Sequence, residues 1–169
     1  MFVIGCGGTA PRPKKPTEPT ASSKTEDPPP AEVPASHNIA VSMDIAEACN
    51  ITAGENITPR FQYDRDELQS DDRQVLETIA KCLTDGALKG RTVNLVGRAD
   101  PRGTEEYNLA LGSRRSNAVS DYMEKQGTSP SQLVETTRGS IDATGRNEAG
   151  WSKDRRVDIV LVAPKSASR

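Results

Sequence analysis

The feature that most limits how this chain can fold is the uneven distribution of its prolines. Eight of its 12 prolines lie between positions 11 and 34. Residues 7–36 otherwise contain mainly Thr, Ser, Ala, Glu and Lys, a composition that cannot bury enough apolar surface to fold, and the prolines favour extended conformations. We therefore predict a disordered tether over 7–36 that reaches on the order of 90 Å. The alternative is a disordered tail that does not serve as a spacer. The residues after position 37 are numerous enough to bury the core of one domain.

The residues in front of this segment resemble the end of a bacterial lipoprotein signal. Val3, Ile4 and Gly5 precede Cys6 in the pattern of a lipobox, in which the cysteine becomes lipid-modified. Only four apolar residues and no basic ones open the chain, fewer than a signal peptide needs, so we expect the signal to start further upstream. We interpret residues 1–6 as the remnant of that signal and Cys6 as the lipidated residue. The alternative is a chance cysteine after apolar residues.

The charge balance and the counts of certain residues argue against several classes of function. The 22 basic and 24 acidic side chains give a net charge of −2, so no overall field directs the protein to nucleic acid or to anionic lipid. No run of about 18 apolar residues is present, and we expect no membrane-spanning helix in this sequence. The one histidine, His37, belongs to the proline-rich region, which argues against most histidine-activated nucleophiles and most zinc sites. We expect no bound metal and no cofactor.

Hydrophobic periodicity after position 37 predicts alternating strands and helices. Val75, Leu76, Ile79 and Leu83 follow the spacing of an amphipathic helix, and Gly127 is suited to end a later one. The predicted elements are, in order, a strand over 57–63, a helix from Ser70 to Leu83, a strand over 91–96, a helix over 104–126, and strands over 134–140 and 156–162. This β-α-β-α-β-β order predicts an α+β fold in two layers, a small mixed sheet with helices packed on one face.

The remaining cysteines bear on the domain boundaries. If Cys6 is lipidated, the chain is exported and two thiols remain, Cys49 and Cys82. An even number of thiols in an oxidising compartment favours a disulfide, and two buried free thiols are the alternative. We place the folded domain at 57–163, between an extension over 37–56 and a tail over 164–169. Within the extension, 39–49 is ambiguous between a short strand and one or two helical turns.

The densest polar stretch runs from Gly97 to Asn108, out of a predicted strand and into a predicted helix. Loops of this kind often carry binding residues, and a helix start offers free N–H groups to an anion. Further charges follow at Arg114 and Arg115 and at 154–156. Both charge signs are present, which suits a small ligand with a carboxylate and an ammonium, whereas a solvated surface with weak ion pairs is the alternative. No activated nucleophile is apparent, which argues against an enzyme. Acidic residues interrupt the basic ones, which argues against nucleic-acid binding.

Three motifs resemble the OmpA-like peptidoglycan-binding domain. The stretch from Gly97 to Arg115, GRADPRGTEEYNLALGSRR, resembles its central motif. FQYD at 61–64 resembles its first strand, and WSKDRRV at 151–157 resembles its closing motif. The motifs occur in the order expected of the family, and together they cover about 57–162. The version found in peptidoglycan-associated lipoproteins of the Tol system is similar, including a lipidated cysteine and a proline-rich spacer.

The resemblance implies a non-catalytic domain that binds the meso-diaminopimelate side chain of peptidoglycan stem peptides. It implies that Asp100 holds the ammonium and Arg115 the carboxylate of that ligand. On that hypothesis we predict that replacing either residue with Ala weakens binding to sacculi on the order of ten-fold or more and leaves the fold intact. Asn108 and Asp64 match other polar positions of the site, and Arg102 matches no ligand position. Four arginines are expected to support the site from behind: Arg98, Arg114, Arg155 and Arg156. The family usually has His where Arg98 stands and Asn where Asp154 stands.

The resemblance also implies a location and partners. We expect a lipoprotein anchored in the outer membrane, with its domain facing the periplasm and gripping the cell wall. It would be the Pal component of a Tol–Pal system, with the Tol proteins as partners. The alternatives are an OmpA-like wall anchor independent of Tol and, from a different class, a periplasmic enzyme.

Overall fold

The computed structural model describes residues 41–51 and 60–163. The predicted lipidation of Cys6, the tether over 7–36 and the tail over 164–169 lie outside the described residues. Eight elements follow one another along the described chain: α1 (Met43–Ala48), α2 (Ser70–Thr84), β1 (Val93–Arg98), α3 (Glu105–Lys125), a 3-10 turn (Pro130–Gln132), β2 (Leu133–Gly139), α4 (Glu148–Asp154) and β3 (Val157–Leu161).

The strands form a three-stranded mixed sheet in the order β2-β1-β3. The central strand, β1, pairs in parallel with β2 and antiparallel with β3. Helix α3 packs against β1 and β2, and α2 packs against α3. The α+β fold predicted from the sequence is therefore confirmed. The core between the layers is completely buried at Leu76, Leu95, Val119 and Ile159, among others.

Two glycines allow α3 to lie directly on the sheet. A Cβ atom on Gly97 of β1 would stand 1.8 Å from the carbonyl oxygen of Gly112 in α3. A Cβ on Gly112 would stand 2.4 Å from Oγ1 of Thr137 in β2. Only glycine fits at both places, and the helix continues through Gly112 without a break. This contact sets the level of α3 against β1 and so positions the loop that joins them.

The strand predicted over 57–63 is wrong for the part that the structure describes. Arg60 forms a single isolated bridge with Arg156, and the chain then turns at Asp64, whose φ is +55°. Side chains have taken the carbonyl groups that a strand would use, because Arg155 donates to the Phe61 carbonyl and Arg115 to the Gln62 carbonyl. A buried guanidinium that needs acceptors thus competes with sheet pairing.

Two short helices complete the comparison with the sequence. The ambiguous 39–49 segment contains a bridge residue, Val41, which pairs with Ile159, and the six-residue helix α1. Helix α4 was not predicted. It begins after Asn147, whose side chain accepts from the Gly150 N–H, an N-cap arrangement.

The disulfide predicted between Cys49 and Cys82 is present, with the two Cα atoms 5.6 Å apart. Cys49 follows α1 directly, and Cys82 lies in α2 on the buried side. The bond therefore attaches the segment before the domain to the helical layer.

Asp72 gives the stability of the fold a dependence on pH. Its carboxylate accepts from the backbone N–H groups of Arg60 and Gln69, both at 3.2 Å, but burial raises the pKa of Asp72 to about 6 from 3.8. Because the folded state then holds this proton more tightly than the unfolded state, the free energy of unfolding falls as the pH rises from about 4 to about 6.

We expect Asp72→Asn to remove this dependence, which is on the order of 3 kcal/mol for a pKa raised from 3.8 to about 6. Melting temperatures of the wild type and the variant, measured between pH 4 and pH 7, check it. The wild type should lose stability relative to Asp72→Asn across that interval. A difference in melting temperature that stays constant with pH would contradict the assignment.

Candidate functional site

A cleft of about 420 Å³ opens where β1 ends and α3 begins. Its size suits a small ligand or the end of a side chain rather than a large molecule. The residues that line it are Tyr63, Asp64, Asp100, Arg102, Gly103, Thr104, Tyr107, Asn108 and Leu111. Three of the four predicted ligand-binding residues, Asp64, Asp100 and Asn108, are therefore brought together.

Asp100 is the most deeply buried acidic group of the cleft, with 5% of its surface exposed. One carboxylate oxygen accepts from the backbone N–H and from Nε of Arg102, both at 3.1 Å. The other accepts from Nη2 of Arg102 at 2.9 Å and from Nη1 of Arg155 at 3.3 Å. Burial acts to raise the pKa of Asp100, but the hydrogen bonds from Arg102 outweigh it and hold the pKa below its ordinary value. Asp100 is an anion at neutral pH.

Arg102 lies between two aromatic rings. Its guanidinium carbon is 3.9 Å from the ring centre of Tyr63 and 4.3 Å from that of Trp151. Nη2 also lies 3.4 Å from a carboxylate oxygen of Glu148. Arg102 matches no ligand position of the family motif, whereas in the structure it is the main partner of Asp100.

Arg155 lies behind Asp100, on the side away from the cleft opening. Its Nε donates to the Phe61 carbonyl at 2.8 Å and its Nη2 to Glu148 at 2.7 Å. With 7% of its side chain exposed, Arg155 is a fixed part of the interior. It gives the buried carboxylate of Asp100 a second cation.

Arg115 is fully buried and does not line the cleft. It donates to three backbone carbonyls, those of Arg65 and Arg98 at 2.8 Å and that of Gln62 at 3.1 Å. Burial lowers the pKa of Arg115 to about 10, and the charge of Arg155 acts in the same direction, so Arg115 stays protonated at neutral pH. Within the described part of the chain it forms no ion pair.

The contact with the Arg98 carbonyl answers a question that sequence spacing leaves open. Asp100 and Arg115 could approach each other only if the loop folded back along α3 or if Gly112 broke the helix. Helix α3 is unbroken, and the end of β1 lies beside it, so Arg115 reaches the backbone two residues before Asp100.

Asn108 and Asp64 shape the cleft in different ways. Asn108, 2% exposed, donates to the Arg102 carbonyl at 3.0 Å and to Oγ of Ser140 at 3.1 Å, and it therefore holds the loop that carries Arg102. The side chain of Asp64 accepts a hydrogen bond from the Tyr107 hydroxyl across the cleft.

Three of the four supporting arginines form their ion pairs with carboxylates that do not line the cleft. Arg98 pairs with Asp142 and Asp158. Arg156 also pairs with Asp158, at 2.7 Å, and Arg114 pairs with Asp66 at 3.3 Å. Within the described residues, Arg155 is the member of the predicted set that pairs with Asp100, whereas Arg114 stands over the ring of Tyr107, 5.8 Å from its centre, at the edge of the cleft. The Arg98 side chain, at the position where the family usually has His, belongs to a separate ion-pair cluster.

Sequence reasoning missed the aromatic residues of the site and Glu148. Tyr63 and Trp151 both lie within the quoted motifs, so an aromatic beside a motif charge was an available signal.

In the described residues no helix is long and apolar enough to cross a membrane. In the same residues no group of three or more His, Cys, Asp or Glu side chains could hold a metal ion.

Comparison with known proteins gives consistent matches. The OmpA family matches residues 60–156, more than half of the chain. The chain is 42% identical over 101 residues to the peptidoglycan-associated lipoprotein of Pseudomonas putida, covering 59% of each protein. It is 30% identical over 107 residues to outer membrane protein A of Bordetella avium, covering 62% of this chain and 54% of that protein. The matches thus span less than two thirds of these relatives.

A solved structure, that of the peptidoglycan-associated lipoprotein from Burkholderia pseudomallei, superposes with a TM-score of 0.59. The sequence identity there is 32%, and the match covers 62% of this chain and 89% of the other.

Proposed function

This chain belongs to the OmpA family, and from that premise we propose that it binds peptidoglycan without catalysis, through the meso-diaminopimelate end of a stem peptide. The observation that supports this most is a pair of opposite charges, one lining the cleft and the other buried close to it. An anionic Asp100 forms its buried side, and the cationic Arg115 reaches the backbone two residues from Asp100. A ligand end that carries an ammonium and a carboxylate a few bonds apart complements this pair.

Arg115 offers a reason for a carboxylate to bind. The buried cation is held by neutral carbonyls, and the carboxylates that favour its charge, Asp100, Asp66 and Asp64, form no direct ion pair with it. A ligand carboxylate in direct contact would therefore stabilise it further. We expect the ligand carboxylate to replace the Gln62 or the Arg65 carbonyl. Both carbonyls belong to the turn over 62–65, which contains Asp64 and whose residues are exposed.

Binding to purified peptidoglycan sacculi tests the proposal. We expect the full chain to sediment with sacculi and to be released by excess free meso-diaminopimelate. Glycan strands from which the stem peptides have been removed are the matched control and should not retain the protein. Equal retention by both materials, or none by intact sacculi, would overturn the proposed function.

We further propose that the protein is an outer-membrane lipoprotein that ties this membrane to the wall. The lipobox-like residues up to Cys6 and the proline-rich stretch after it support a lipid anchor and a spacer. The family resemblance adds a finer role as the Pal component of a Tol–Pal system, and copurification with Tol proteins from crosslinked cells tests that role separately.

Cys6→Ser should release the protein from the membrane, because the serine cannot carry the thioether-linked lipid. Expressed behind a complete lipoprotein signal, the wild type should partition with membranes, and the variant should appear in the periplasmic fraction. Sacculus binding of the variant should persist, because Cys6 lies outside the cleft-forming domain. Unchanged membrane partitioning of Cys6→Ser would contradict the lipid anchor.

A further inference from the structure

The carboxylate of Asp100 has no acceptor position left. A carboxylate has about four lone-pair directions. Four donors already reach Asp100, namely the backbone N–H, Nε and Nη2 of Arg102 and Nη1 of Arg155. A ligand ammonium therefore cannot simply join this set. At least one existing donor has to leave when the ammonium binds.

Arg102 is the donor that can leave. Arg155 is held by Phe61 and Glu148 as well as by Asp100 and has 7% of its side chain exposed. The side chain of Arg102 is 30% exposed and lines the cleft. Its departure opens Asp100 toward the cleft, whereas departure of Arg155 would leave charges unpaired in the interior.

The surroundings of Arg102 explain why it rests on Asp100 when no ligand is bound. Tyr63 and Trp151 face its guanidinium from 3.9 and 4.3 Å, and a cation is attracted to aromatic faces at such distances. Glu148 adds a second carboxylate at 3.4 Å. The guanidinium thus occupies the place that the proposed function gives to the ligand's ammonium. It also neutralises the charge of Asp100, as that ammonium would.

We propose that Arg102 is an internal occupant of the ammonium subsite, which the ligand has to displace and which therefore sets the affinity and the selectivity of the cleft. This inference rests on the proposed function. Only a cationic group can take the place of Arg102 without leaving the buried charge of Asp100 less compensated. Neutral ligands of the same shape leave Arg102 in place and are excluded.

Calorimetric titration of the full chain with free meso-diaminopimelate tests the inference. Arg102→Met keeps an unbranched, apolar side chain against Tyr63 and Trp151 but removes the competing charge. We expect this variant to bind about ten-fold more tightly than the wild type, a change of about 1.4 kcal/mol. Arg102→Lys keeps a cation near Asp100 and should bind more weakly than Arg102→Met.

The fluorescence emission of Trp151 is a second measurement, and ligand binding would not change it if Arg102 had only a structural role. Trp151 is the only tryptophan of the chain, and its ring faces the guanidinium at 4.3 Å. In the wild type, saturation with meso-diaminopimelate should change the tryptophan emission as the guanidinium leaves. In Arg102→Met the emission of the free protein should already differ, and most of the response to ligand should be lost.

A matched control is Arg73→Met, because Arg73 also stands over an aromatic ring, Tyr122, at 6.0 Å, but does not line the cleft. It should leave both readouts at wild-type values. If the wild type binds and Arg102→Met binds equally or less tightly, the displacement inference is wrong while the proposed function stands. If neither the wild type nor Arg102→Met binds meso-diaminopimelate or sacculi, the proposed function fails and this inference fails with it.

Discussion

Asp100→Asn is expected to weaken binding to sacculi by about ten- to a hundred-fold, because a charge-assisted hydrogen bond contributes roughly 1.5–3 kcal/mol. The amide keeps the shape of the carboxylate but cannot balance a ligand ammonium. It also presents one acceptor oxygen where Asp100 now accepts from four donors of Arg102 and Arg155. Cosedimentation of the full chain with sacculi at increasing wall concentration measures the loss.

The chain contains a matched control for this substitution. Asp158 is a buried aspartate, 6% exposed, that pairs with the side chains of Arg98 and Arg156, and it does not line the cleft. Asp158→Asn should lose a comparable pair of ionic contacts and keep wild-type binding. If a folded Asp100→Asn protein binds like the wild type, or both variants lose binding equally, Asp100 is not the ammonium ligand.

Arg115 requires a correction to the expectation that its replacement leaves the fold intact. Its guanidinium joins Arg65, Arg98 and Gln62 through their carbonyls and is fully buried. Arg115→Ala would leave those carbonyls without their donor and open a cavity, at a cost of roughly 3–5 kcal/mol. A loss of binding in Arg115→Ala is therefore no evidence for its role with the ligand, and Asp100 is the cleaner test.

Reduction of the Cys49–Cys82 disulfide is expected to lower the free energy of unfolding by roughly 3–4 kcal/mol, the chain-entropy estimate for a loop of about 34 residues. The melting temperature should fall by on the order of 10 °C. The physical reason is that the reduced, unfolded chain regains the conformations that the bond forbids. In the folded state, α1 is a helix of six residues with one buried side chain, Ile45. Thermal unfolding with and without reductant measures the effect.

A Cys6→Ser background removes the third thiol of the chain, and Cys49→Ala/Cys82→Ala is the control that reductant should not affect. Sacculus binding should survive reduction at low temperature, because neither cysteine lines the cleft. Two alkylatable thiols in unreduced, unfolded protein from the periplasm would contradict the bond.

The sequence alone determined the features that depend on local spacing. The apolar positions from Val75 to Leu83 and the run ending at Gly127 predicted α2 and α3, because helix formation follows from side chains three and four residues apart. The cysteine count predicted the disulfide that the structure contains. The motif from Gly97 to Arg115 indicated the family, and it marked Asp100 and Asn108, which do line the cleft.

Only the tertiary structure decided which charge meets which. Arg155 binds Phe61, which is 94 positions away in the chain, and Arg115 binds Gln62 across 53 positions. These long-range bonds replace the described part, 60–63, of the strand predicted over 57–63, because a buried guanidinium takes the carbonyls that sheet pairing would need. The placement of Arg102 on Asp100 likewise depends on Tyr63 and Trp151, which meet only in the folded chain. Spacing fixes which faces residues share, but the partners of a buried charge are chosen by the desolvation that folding imposes on it.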